Sequence, residues 1–85
     1  MNTETLIQCI RERLSDLAYQ KLDIIDDSAH HVGHAGAAGG GLHFHLIITS
    51  TALNALSRIE AHKAIYQRLN DLIPLPIHAL QISIC

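Results

Sequence analysis

The sequence predicts an α+β fold of order α-β-β-α-β: a three-stranded sheet with helices on one face. Three observations carry this. Residues 3–19 and 56–73 repeat apolar side chains at helical spacing. Residues 42–50 alternate between apolar and polar positions, the period of a strand. Residues 77–84 form a last apolar run, separated from the second helix by Pro74-Leu75-Pro76. At 85 residues, the chain is expected to form one domain over 1–85 with a modest core.

Each element has a local reason. In the first helix Leu6, Ile10, Leu14 and Leu17 form one stripe, and Glu4 suits the positive N-terminal end of the helix dipole. Cys9 borders that stripe and reads as a small buried hydrophobe. Residues 21–27 read as a short strand with Leu22 and Ile24 on one face. A loop follows from Ser28 to Gly41. Its Gly36-Ala37-Ala38-Gly39-Gly40-Gly41 run has too much backbone freedom to hold regular structure, and loops of such length are usually functional or disordered. The next strand puts Leu42, Phe44, Leu46 and Ile48 on the core and His43, His45, Ile47 and Thr49 on a partly wet face. It pairs antiparallel with the first strand across the loop. In the second main helix, Ile59, His62, Tyr66, Leu69 and Ile73 make a stripe that Ile65 and Leu72 widen. Asn54 or Ser57 caps its start, after a preliminary turn near residues 52–56.

Composition excludes several classes. Hydrophobic residues are 48% and charged residues 16%, too apolar for disorder, and no run approaches the ~18 apolar residues of a spanning helix. The start Met1-Asn2-Thr3-Glu4 lacks the basic and apolar segments of a signal peptide, so a cytoplasmic location without membrane attachment is expected. The net charge is −2 and the six cations are scattered, which disfavours strong phosphate-driven binding. Cys9 and Cys85 make neither a disulfide framework nor a Cys-only zinc site.

No hydrolase serine elbow, nucleophilic cysteine context or phosphate-cradling glycine loop is present. Asp26 and Asp27 are strand neighbours pointing to opposite faces, and read as a solvated strand end rather than a catalytic pair. The histidines are the unusual feature: five of seven lie between His30 and His45. His30, His31 and His34 sit in the loop, where each is a ligand candidate or a solvated polar residue. His43 and His45 share the wet strand face and read as a pleated-surface pair. His62 reads as a packed histidine with a satisfied hydrogen bond. His78 opens the last strand and, near a histidine-bearing loop, is placed to complete a two-histidine site. A structural zinc site needs four ligands, usually with Cys. This chain offers histidines without nearby Cys, the pattern of a half-site completed by a partner's thiolates. Iron–sulfur clusters take such a mixed set, with two His on one iron. A zinc-storage site built from His30, His34, His43 and His45 is a further, weaker reading.

Several segments together resemble the BolA family. These are Asp26-Asp27-Ser28-Ala29-His30-His31, the glycine-rich loop, and His43-Phe44-x-Leu46-x-Ile48-x-Ser50. To them are added His62-Lys63-x-Ile65-Tyr66-x-x-Leu69 and Ile77-His78-Ala79-Leu80. The match covers nearly the whole chain in order and spacing. The resemblance implies an α-β-β-α-α-β fold similar to a class II KH domain. It also implies a non-enzymatic adaptor that pairs with a monothiol glutaredoxin and shares a glutathione-ligated [2Fe-2S] cluster. The role of fixed ligand carries over to His78 and that of loop ligand to His31, with His34 as the alternative. The thiolates would come from glutaredoxin and glutathione, so the isolated protein is expected to hold no cofactor tightly and to be a monomer or weak homodimer. Bacterial members are also described as transcriptional regulators or stress-morphology proteins. A DNA-binding reading would use Arg58, Lys63 and Arg68. The family often carries Arg-His-Arg where this chain has Ala61-His62-Lys63, which leaves fewer cations for phosphates and favours the cluster reading. The string Gly-x-x-Gly occurs at 33–36 and 36–39, but between strands, and is not read as the RNA clamp of KH domains.

Overall fold

Asn2 starts the first helix: its side-chain oxygen accepts from the Thr5 amide at 2.7 Å, and Glu4 lies in the first turn. The computed structural model, which describes residues 2–27 and 41–85, then runs α1 (Thr3–Arg13), β1 (Lys21–Asp26), β2 (Leu42–Thr49), α2 (Thr51–Asn54), α3 (Arg58–Leu69) and β3 (Ile77–Ile84). The sheet order is β1-β2-β3. β2 pairs antiparallel with β1 and parallel with β3. The α+β class and its three strands are as the sequence predicts.

Register fixes the faces. Phe44, Leu46 and Ile48 stand opposite Leu80, Ile82 and Ile84 of β3, and Leu46 and Ile48 opposite Ile24 and Leu22 of β1. On these side chains lie Leu6, Ile10, Leu14 and Leu17 from the first helical segment and Ala61, Ile65 and Leu69 from α3, all buried. The driving force is this apolar burial, at about 25 cal/mol per Å² removed from water.

Two helical readings shift. The helix predicted over 3–19 stops at Arg13, and a 3₁₀ turn at Ser15–Leu17 follows. The Ser15 hydroxyl donates to the Glu12 carbonyl at 2.7 Å, satisfying an end-of-helix acceptor, and Ala18 turns the chain at a left-handed φ of 48°. Leu14 and Leu17 stay buried because the tighter turn keeps them over the sheet. On the second helix, the core-facing stripe is Ala61, Ile65 and Leu69, continued by Leu72. It lies one residue, about 100°, away from the predicted stripe. Ile59 is 70% exposed and Tyr66 40%. Both stripes have helical spacing; small Ala61 lets α3 approach the sheet and so decides between them. Ser57 is the cap: its hydroxyl accepts from the Glu60 amide and Glu60 accepts from the Ser57 amide.

Two ion pairs join the helix ends. Arg13 meets Asp71 through both nitrogens, at 2.5 and 2.8 Å, and Arg68 meets Asp16 at 2.8 Å twice. The hydrogen bonds from the guanidinium groups hold both carboxyls below the usual carboxylate range.

Candidate functional site

The end of the sheet where β2 and β3 begin is irregular. Leu42 pairs with Ile77, but the next residue, His43, pairs with Ala79. His78 is therefore the extra residue of a bulge, a device that re-aims a side chain. The Leu42 amide donates to the Pro76 carbonyl at 2.9 Å and holds the start of the pairing. The result is an exposed imidazole at the mouth of the last strand.

Beneath it is a second imidazole. The rings of His43 and His78 lie 5.4 Å apart between centroids, tilted by 54°. His43 is only 8% exposed. The wet-face expectation thus fails for His43: alternation does turn it away from the core, but the β3 bulge closes His78 over it. His45, one pleat further, is half-buried, with Nε2 2.8 Å from the Ser83 hydroxyl. The pair expected at 43 and 45 is replaced by a pair at 43 and 78, because the parallel β2–β3 register sets a nearer neighbour across the strands than along one.

Both ends of the loop segment meet here. The Asp27 amide donates to the His43 carbonyl at 2.7 Å, and Gly41 packs against His78. A cavity of about 180 Å³ beside them is lined by Asp27, His43, Phe44, Ala79, Leu80 and Gln81. His30, His31 and His34 lie outside the described residues. A larger cavity of about 440 Å³ sits toward the far end of β3, between Leu53, Ala61 and Ile84, away from the imidazole pair.

The donor set decides what the site is fit to hold. Among the described residues, no three His, Cys, Asp or Glu converge as a metal centre. Cys9 is half-buried on α1, and Cys85 follows β3 at its opposite end, about 23 Å from His78 at strand rise. The described part of this end of the sheet thus supplies imidazole and no thiolate. That fits a share of a mixed His and thiolate cluster and does not make a complete site.

The cations named for nucleic acid separate. Arg58 and Lys63 line a groove of about 340 Å³ on the exposed face of α3, with Ile59, His62 and Tyr66. Arg68 points to the other end of the helix, where Asp16 and the Ala64 carbonyl take its guanidinium. His62 bonds the Arg58 carbonyl through Nδ1 at 2.8 Å, as a satisfied histidine, but on the partly exposed face rather than in the core.

The family model for BolA-like proteins matches residues 14–85. The chain belongs to the BolA-like family. This BolA-like chain is 40% identical over 79 residues to SufE-like protein 1, chloroplastic/mitochondrial, of Arabidopsis thaliana, covering 86% of this chain and 21% of that protein. It is 30% identical over 75 residues to BolA-like protein 1 of Mus musculus, covering 87% and 53%. It therefore spans from about a fifth to about half the length of these relatives. The BolA domain of SufE1 from Arabidopsis thaliana superimposes with a TM-score of 0.75 at 33% identity, over 99% of this chain and 92% of that one. BolA1 from Mus musculus gives 0.69 at 27% identity, over 89% and 60%. The family and the α+β fold implied by the resemblance are both found. Some relatives are named as chloroplastic or mitochondrial, so their names do not support the cytoplasmic expectation. Among the described residues, no helix is long and apolar enough to cross a membrane.

Two features of the site escaped the sequence reading. Nothing in the spacing links His43 to His78, since a parallel register joins distant segments without a local signal. Gly41 was legible only as the end of a glycine-rich loop.

Proposed function

We propose that this BolA-like domain acts without catalysis, as a cytoplasmic adaptor that docks on a monothiol glutaredoxin and co-ligates a [2Fe-2S] cluster. The observation that carries the reading is the exposed His78, raised on a bulge, at the end of the sheet to which Asp27 and Gly41 anchor both ends of the segment bearing His31. His78 is the fixed ligand and His31 the loop ligand, with His34 as the alternative. Glutaredoxin and glutathione supply the thiolates that this end of the sheet lacks. Two imidazoles on one iron raise the cluster's reduction potential relative to an all-thiolate shell. The domain would then serve cluster assembly and trafficking or iron-status signalling. On its own it would hold no cluster tightly.

The test is visible circular dichroism of cluster-loaded monothiol glutaredoxin titrated with this protein. The spectrum should change with wild type, and the change should be lost or altered with His78→Ala. A spectrum that neither protein alters overturns the reading.

The alternative, a DNA-binding regulator, retains Arg58 and Lys63, which flank one exposed groove, while Arg68 is engaged by Asp16. Two phosphate contacts would give a salt slope of about −2 in log–log form. Fluorescence anisotropy on promoter DNA at two salt concentrations measures it, and absence of a specific complex removes this alternative.

A further inference from the structure

The geometry points to Gly41 as the positioning residue of His78: the missing side chain at 41 is what allows the bulged histidine to stand against His43. A Cβ at position 41 would lie 2.3 Å from the His78 Cβ, 3.1 Å from its Cγ and 3.3 Å from its Cα. Carbon atoms in ordinary contact stand about 3.5–4.0 Å apart. The atoms met belong to the root of the imidazole and to the β3 backbone, so no rotamer change relieves the clash. The start of β3 would have to move.

That start has little room to move. The Leu42 amide is bonded to the Pro76 carbonyl next door, and Ile77 on the core side of the bulge is completely buried. Displacement would therefore fall on His78 and on its contact with His43. The requirement at 41 is for space and not for conformational freedom, because its φ lies outside the left-handed range. This separates Gly41 from the reading of the glycine run as a source of mobility. Its role in function rests on the proposal that His78 is a ligand. Gly41 touches no cluster and acts only through the imidazole.

The experiment combines Gly41→Ala, His78→Gly, their double variant and His78→Ala. Long-range proton–nitrogen spectra of the imidazoles are recorded for every variant, with thermal unfolding and cluster circular dichroism. Gly41→Ala should shift the ring resonances of both His43 and His78 and leave those of His62 in place. Its unfolding midpoint should fall, and the same substitution should have little effect in the His78→Gly background, where the Cβ it strikes is gone. Its cluster spectrum should move toward that of His78→Ala. Unshifted His43 and His78 resonances in Gly41→Ala overturn the inference. So does a double variant as unstable as the sum of the two single ones, which also serves if Gly41→Ala alone does not fold. If His78→Ala leaves the cluster spectrum unchanged, the ligand reading fails by itself, while the ring resonances still decide the positioning role.

Discussion

The two ends of the sheet are built in opposite ways. At the end where β2 finishes, polar groups are tied into the scaffold. Ser50, completely buried, donates to the Leu17 carbonyl at 2.8 Å and accepts from the Leu53 amide at 3.2 Å. The Gln20 amide donates to the Thr49 carbonyl, the Asn54 side-chain amide to the Cys85 carbonyl, and the Cys85 amide to the Ile48 carbonyl. At the other end β3 bulges, Gly41 leaves space and an imidazole stands exposed. The contrast teaches where this fold keeps its stability and where it presents chemistry. A small domain has few kilocalories in reserve, so a functional group is best set where its loss does not unfold the chain.

The comparison can be broken at the core that both ends share. Phe44 is 2% exposed and lies between the imidazole end and the helices. Phe44→Ala should lower stability by about 3–5 kcal/mol, a large fraction of what such a chain holds, and chemical denaturation will read it. A smaller loss comes from the tied end. Ser50→Ala leaves a buried carbonyl without its donor and α2 without its cap, which should cost about 1–3 kcal/mol in the same assay.

Acid should act next, on the helix ends rather than on the sheet. Asp16 and Asp71 have folded values below their unfolded value of about 3.9. Their contribution is therefore complete above that value and is lost as pH falls through the lower folded values. Urea midpoints from about pH 5 down to pH 2 should fall with pH, and less steeply for Asp71→Asn. Because both carboxylates are largely exposed, this effect is the more modest. The smallest effect on stability belongs to the open end. His78→Ala should stay within about 0.5 kcal/mol of wild type while abolishing the wild-type change in the cluster spectrum. A large stability loss there would erase the distinction between the two ends.

The sequence by itself determined the elements. Alternation from Leu42 to Ile48, the leucine stripe from Leu6 to Leu17 and the stop at Pro74 are local patterns, because strand and helix periods are properties of neighbouring residues. It also singled out His78 and the histidine-bearing loop, through composition and through the family resemblance. Tertiary structure decided the rest. It turned α3 onto Ala61 rather than Ile59, ended α1 early, buried His43 beneath His78 and gave Gly41 its reason. Each of these depends on which distant surface arrives at a residue, and the parallel pairing of β2 with β3, joining segments far apart in the chain, has no signature in either segment alone.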